Sequence, residues 1–370
     1  LDFYVTSAEA GAPIEQARGE LNKLFRNDDG TYVDVADAAG VGAAAHNSSA
    51  VAACDFNNDG YQDLYVGGMG RVGDELDYIS TEPGSELEFI SADRLYINQK
   101  DGTFTNATES WFGEKLNVRS AGSIACGDVD NDGWLDLYVG NRSDVDFTSF
   151  NHASHPGHYN VMYRNNGDST FADITDSAGL VAPPIVMRDS FGEAIIFPED
   201  AAEGEGFEGF DPEHLDANGN RGGDPAGETW ATLFFDHDDD GDIDLWLADD
   251  GDRLKVYRND STSANVRFTD ITAPMGIDQS GAWMGFALGD IDGDADLDMF
   301  ITNIGFHPVT RGPNNTPGGA CSYAANFQWG TCYHYLLRND GTIRVPSVGT
   351  IGVFPDIAWS TKVEPSAGAP

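Results

Sequence analysis

An acidic loop that recurs four times constrains this chain more than any other feature. In its fullest copy, residues 128–139 read Asp-Val-Asp-Asn-Asp-Gly-Trp-Leu-Asp-Leu-Tyr-Val. Carboxylates stand at loop positions 1, 3, 5 and 9 (Asp128, Asp130, Asp132, Asp136), and Gly133 stands at position 6. Acidic side chains at positions 1, 3 and 5 of a tight loop converge on one point, and glycine allows the bend between them. The residue at position 7, Trp134, adds its backbone carbonyl. Such an all-oxygen cage has the size and hardness that Ca2+ prefers, whereas Mg2+ demands smaller octahedral geometry. Asp136 closes the site, where an EF-hand would place a Glu at position 12, and the chain leaves as a β-strand rather than a helix.

The other copies supply Asp55, Asn57, Asp59, Tyr61 and Asp63; Asp236, Asp238, Asp240, Asp242 and Asp244; and Asp290, Asp292, Asp294, Asp296 and Asp298. Each runs into a short apolar strand. The last carries Ala295 where glycine is expected, and a non-glycine residue at positive φ costs ~1 kcal/mol. The expectation is about four structural Ca2+ sites. Uncompensated carboxylates this close repel one another, so the fold should depend on free Ca2+.

A second motif follows each loop: an apolar-aromatic strand, Arg-Asn or a variant, an Asp-Gly turn, then Thr-Phe. Met162-Tyr163-Arg164-Asn165 leading to Thr170-Phe171 is typical, and related runs begin at Leu24, Leu95, Val256 and Leu336. Asn/Asp-Gly between short alternating runs predicts a hairpin. One unit therefore reads strand, acidic loop, strand, linker, strand, turn, strand, which is one blade of a β-propeller. The fold class is all-β, a single propeller domain over 1–370. Units fall at 1–36, 50–108, 121–175, 230–272 and 284–345. Asp236 to Asp290 spans 54 residues and Asp128 to Asp236 spans 108, so a degenerate unit is expected at 179–229. A partial unit at 346–370 is expected to complement strand 1–5. Closure by complementary termini removes an open sheet edge. Completed by another chain instead, it would link subunits head to tail.

The tandem pattern resembles the FG-GAP/VCBS-type repeats of integrin α-subunit propellers and, more closely, of the cartilage acidic protein family and its bacterial relatives. The resemblance covers about 21–175 and 230–342. It implies a Ca2+-loaded, seven-bladed propeller in an extracellular setting; the units counted here number six, with a seventh if the tails form a separate blade, so seven blades are the expectation and six the alternative.

The chain has 20 Lys+Arg against 62 Asp+Glu, a net charge of −42. That surface repels nucleic acid and anionic membranes. No apolar run reaches the ~18–20 residues of a membrane span. Leu1 in place of Met suggests a mature or trimmed product. Cys321 and Cys332 are the first candidates for a disulfide, while Cys54 and Cys126 either pair or are small buried residues. Asn47, Asn106, Asn141, Asn259 and Asn314 begin N-x-S/T sequons, the acceptor sequence for N-glycosylation in a secreted protein.

Catalytic signatures (G-x-S-x-G, H-E-x-x-H, P-loop) do not occur. His152, His155 and His158 form a cluster that reads as an exposed loop or a metal or general-base site; His307 and His334 stand singly. Trp230, Trp246, Trp283 and Trp329 fit a blade core better than a sugar platform. The expectation is a secreted or cell-surface, calcium-rigidified, non-catalytic structural or adhesive propeller, self-associating or binding extracellular protein or glycan, with head-to-tail filaments as one mode of assembly. A glycan- or protein-binding receptor head is the alternative, and a polysaccharide lyase or hydrolase ranks behind both. Fold alone does not separate these.

Overall fold

A computed structural model describes residues 2–7, 22–42, 48–68, 92–117, 121–141, 160–180, 228–263, 265–277, 280–303, 334–345 and 349–353. Its strands form successive antiparallel sheets. The first sheet has three strands, β1 (Phe3–Val5), β2 (Lys23–Asp28) and β3 (Thr31–Asp34). Two four-stranded sheets follow in simple meander order. One is β4 (Ser48–Cys54), β5 (Asp63–Gly68), β6 (Arg94–Asn98) and β7 (Phe104–Asn106). The other is β8 (Ala121–Gly127), β9 (Asp136–Asn141), β10 (Val161–Asn165) and β11 (Phe171–Asp173). The fourth, β12 (Glu228–Phe235), β13 (Asp244–Arg253), β14 (Lys255–Asn259) and β15 (Phe268–Asp270), repeats that order. The far end of β13 also pairs β16 (Ser280–Gly289), which continues to β17 (Asp298–Asn303) and β18 (Tyr335–Leu337).

Each sheet is a repeat predicted above. The acidic loop joins first to second strand and the Asp-Gly turn joins third to fourth, so both sit at one end of the sheets. Connections from second to third strand, and from fourth strand to the next unit, leave from the other end.

The inner strands are apolar on both faces because both are covered. All six residues of Asp136–Asn141 are buried. In β5, Leu64 and Val66 pack toward Ala36, Ala39 and Val41 of the preceding unit. Tyr65 and Leu95 join Leu137, Val139 and Tyr163 of the following one. Val129, Tyr138 and Met162 meet Leu245, Leu247 and Tyr257, and Trp246 and Val256 meet Met299 and Ile301. The core is thus a series of sheet-to-sheet interfaces rather than one centre. Two glycines permit this spacing. A Cβ on Gly67 would lie 2.6 Å from the Ala121 Cβ, and one on Gly140 would lie 2.6 Å from the Thr229 Cγ2 of the next unit.

Cys54 and Cys126, at the ends of β4 and β8, form a disulfide that ties two neighbouring sheets. In the chain-entropy treatment a loop of this length is worth ~4 kcal/mol. Cys321 and Cys332 lie outside the described residues.

Two sequence expectations are corrected. The third and fourth sheets are direct neighbours: the Phe268 N–H donates to Ala178 O at 2.8 Å and the Asn259 side chain to Val129 O at 2.9 Å. A sheet from 179–229 therefore does not stand between them. The degenerate unit expected at 179–229 falls almost wholly outside the described residues, which resume at Glu228. The last Asp-Gly turn does not fold back onto β18 either. Instead β19 (Thr342–Val345) pairs β20 (Gly349–Gly352), closed by Asp340 N–H to Val353 O at 2.8 Å. Gly349–Gly352 thus finds its partner in β19, while Phe3–Val5 pairs with Lys23–Asp28.

Candidate metal centres

Three of the four loops share one backbone scheme, and the fourth varies it. The position 1 carboxylate folds inward and accepts N–H groups from positions 5 and 6. Asp128 takes those of Asp132 (3.0 Å) and Gly133 (2.9 Å), Asp55 those of Asp59 and Gly60, and Asp236 those of Asp240 and Gly241. The position 5 carboxylate accepts the N–H of position 7: Asp59 from Tyr61, Asp132 from Trp134, Asp240 from Asp242 and Asp294 from Asp296, each at 3.0 Å. The bend needs left-handed backbone at position 6, where Gly60, Gly133 and Gly241 have φ of 87, 90 and 93° and Ala295 has 81°. In that last loop Asp290 accepts from Gly293 at position 4 (2.7 Å) and from Ala295 (3.2 Å).

The position 9 carboxylates are buried, and each joins three pieces of backbone. One oxygen accepts the position 2 N–H: Asp63 from Phe56, Asp136 from Val129, Asp244 from His237 and Asp298 from Ile291. The other accepts the N–H of an Asn at the end of the third strand: Asn98, Asn165, Asn259 and Asn339, at 2.7–2.8 Å. In the first unit Asp2 does the same for Asn27 at 2.8 Å. Burial pushes Asp136 up to about 7 and Asp63 to about 6. Burial, with Asp244 nearby, pushes Asp238 to about 6.

Among the described residues three loops bring three carboxylates within 4.8 Å of one another: Asp128, Asp130 and Asp136; Asp236, Asp238 and Asp244; Asp290, Asp292 and Asp294. Asn57 at position 3 leaves the 55–63 loop with fewer acids. Asp130 Oδ1 and Asp238 Oδ1 are buried and meet no hydrogen-bond donor. A buried carboxylate oxygen without a partner is costly, and a hard cation at the loop centre would satisfy both. The donor set fits Ca2+: Asp130 and Asp238 at position 3, with their position 1 and 9 neighbours, would hold it.

Sequence reasoning missed two sets of residues. The first is the Asn of the Arg-Asn motif. Asn165 donates its side-chain amide to Leu135 O in its own loop and to Phe56 O in the preceding one. Asn259 does the same with Ile243 O and Val129 O. The motif's recurrence was visible; the bond to the neighbouring sheet was not. The second is a buried polar chain at the opposite end, crossing three sheets. Asp93 accepts from Asn117 (2.8 Å), Asn117 bonds Asn141, Asn160 accepts the Asn141 N–H (2.7 Å), and Asn160 bonds Thr229. Thr229 then donates to Asp249 (2.6 Å), which pairs with Lys255 (2.7 Å). His334 belongs to the same level, its Nδ1 accepting the Asn303 N–H at 2.9 Å, and burial lowers its pKa.

Asn141 and Asn259 are buried with their amides bonded, so neither is a glycan acceptor in the folded chain. Asn106 is exposed at the end of β7, its Oδ1 accepting from Thr108. Asn47, Asn314, His152, His155, His158, His307 and Trp329 lie outside the described residues. Trp246 and Trp283 are fully buried in the sheet interfaces and Trp230 is half-buried.

Meandering antiparallel sheets packed face to face, four of their units carrying an acidic loop at the same end, define an all-β, propeller-like repeat protein. The FG-GAP-like repeat matches residues 1–66, 75–139 and 236–301, just over half of the chain. The chain belongs to that family. Among solved structures it is similar to a lectin from Agrocybe aegerita described as recognising non-reducing terminal N-acetylglucosamine. Identity is 14% and the TM-score 0.38, over 96% of this chain and 65% of that one. No described helix is long and apolar enough to cross a membrane.

Proposed function

We propose that this chain is a calcium-braced propeller of the extracellular space, a binding or structural module without catalytic chemistry of its own. The observation that carries the reading is the pair of buried, unpartnered oxygens, Asp130 Oδ1 and Asp238 Oδ1, in loops whose acids already converge. Each loop also anchors the third strand of its own sheet through the position 9 carboxylate, so a bound ion would rigidify a blade rather than present a reactive centre. The Cys54–Cys126 disulfide and the net charge of −42 suit an oxidising, cation-rich setting outside the cell. The partners proposed are extracellular proteins or glycans.

Calorimetric titration with Ca2+ and with Mg2+, alongside melting in chelator, tests this. Each site held at a hundred times its Kd adds about 2.7 kcal/mol, so Ca2+ should raise the melting temperature strongly and Mg2+ weakly. Melting that is indifferent to chelation overturns the reading.

Self-assembly is supported by a separate observation. Phe3, Val5 and Tyr32 are 43, 43 and 50% exposed on the first sheet, and Ile291 and Leu297 are 50 and 41% exposed in the acidic loop of the last unit. The counterparts of Phe3, Val5 and Ile291 in the second unit, Leu64, Val66 and Phe56, pack against neighbouring units. Light scattering across a dilution series separates a closed monomer, which keeps one mass, from copies joined head to tail, whose mass rises with concentration.

A further inference from the structure

Four of the five Asn-ended strands carry Arg before that Asn, and one of the four differs from the rest. Arg26, Arg258 and Arg338 each turn back onto the aspartate two residues on. Arg26 forks onto Asp28 (2.7 and 2.9 Å), Arg258 onto Asp260 (2.9 and 2.7 Å), and Arg338 onto Asp340 (2.5 and 3.0 Å). Arg164 has Asn166 at that position, and Asn166 bonds Thr170 instead. The Arg164 guanidinium reaches the acidic loop: Nε donates to Asp130 Oδ2 at 2.7 Å and Nη2 to Asp132 Oδ2 at 2.8 Å. It grips the outer oxygens of positions 3 and 5 and leaves Asp130 Oδ1 turned inward, unpartnered.

We infer that Arg164 is a built-in tether that holds the 128–136 loop in its cation-binding shape before any cation arrives, and that Asn166 is what frees it to do so. A planar fork fixes two carboxylates at once, which a single Lys contact does not. In the 55–63 loop, Lys100 pairs with a single carboxylate, Asp59, at 3.3 Å. The inference rests on the calcium reading above for the ligand, but the tether itself is a statement about the metal-free loop.

Hydrogen exchange of the full chain, in chelator and in excess Ca2+, tests it at the Asp132, Gly133 and Trp134 amides, with those of Asp240, Gly241 and Asp242 as internal comparison. In the wild type, chelation should leave the first set protected and expose the second. In Arg164→Gln, and in Asn166→Asp, where the aspartate found in the other units recaptures the guanidinium, chelation should speed exchange of the first set by about tenfold. Asn166 is exposed at a turn whose counterparts carry aspartate, so that variant folds. If both variants keep wild-type protection in chelator, or the wild-type 128–136 loop opens as fully as the 236–244 loop, the tether is wrong. If Ca2+ changes nothing at 236–244 while Arg164→Gln still loosens 128–136, the tether stands and the calcium reading falls.

Discussion

The side-chain amide of Asn259 donates to the backbone carbonyl of Val129, 130 residues earlier, at 2.9 Å. Its second hydrogen goes to Ile243 O, also at 2.9 Å. One buried amide therefore holds the second residue of the preceding loop and the eighth residue of its own. Removing it orphans two buried carbonyls, each worth ~1–3 kcal/mol. Asn259→Ala should lower stability by about 2–4 kcal/mol in denaturant unfolding. Asn98, at the same position in the second unit, is half-buried and bonds Gln62 O alone among carbonyls. Asn98→Ala should cost less than about 1 kcal/mol. Equal losses would mean that the tie between sheets contributes nothing.

How much of this was legible is clear from the same residues. Repetition revealed the unit, the strand order and the loop carboxylates, because every unit must solve the same backbone problem at positions 1, 5, 6 and 9. It also marked the Arg-Asn pair, but not the reach of its Asn into the preceding unit, since a contact between units leaves no spacing to read. Counting residues leaves the neighbours of each sheet undetermined across 179–229; the contact of Asn259 with Val129 shows that the sheets on either side of that stretch touch directly. The pairing of Cys54 with Cys126 was left open for a like reason. Two equivalent repeat positions meet only if neighbouring sheets bring the ends of their first strands together.

Ala295 sits at φ 81° where three sister loops have glycine. A side chain there is strained by ~1 kcal/mol, and nothing surrounds the position tightly enough to repay it. Ala295→Gly should stabilise the protein by about 0.5–1 kcal/mol. It should also tighten cation binding at the 290–298 loop, read as a leftward shift of the weakest step in a calorimetric Ca2+ titration. The reverse change, Gly133→Ala, should destabilise by a similar amount. No shift in either direction would show that this loop relaxes the strain elsewhere.

Lys255 and Asp249 form a buried ion pair at the end of the sheets away from the acidic loops, and Thr229 donates to the same carboxylate. Such a pair contributes little net stability, yet breaking it strands a charge. Lys255→Met should cost about 3–5 kcal/mol. The double variant Lys255→Met with Asp249→Leu should recover much of that, because the lone carboxylate is gone. Thermal melts of the two variants at one calcium concentration check this; a double variant no better than the single would mean that the polar chain through Thr229 and Asn160 dominates.

Acid and calcium should oppose each other. Burial raises Asp136 to about 7 and Asp63 to about 6 in the metal-free fold, whereas an unfolded aspartate titrates near ~3.9. The folded chain then holds protons that the unfolded chain releases, so metal-free stability falls as pH rises from about 4 to about 7. Calcium needs these same groups ionised, so its binding strengthens over that interval. In chelator the unfolding midpoint should fall between pH 5 and 7.5, and in excess Ca2+ it should rise. Asp136→Asn removes the steepest contributor and should flatten the chelator curve. A metal-free midpoint that climbs with pH would mean that Asp136 and Asp63 are ionised within the fold without a cation.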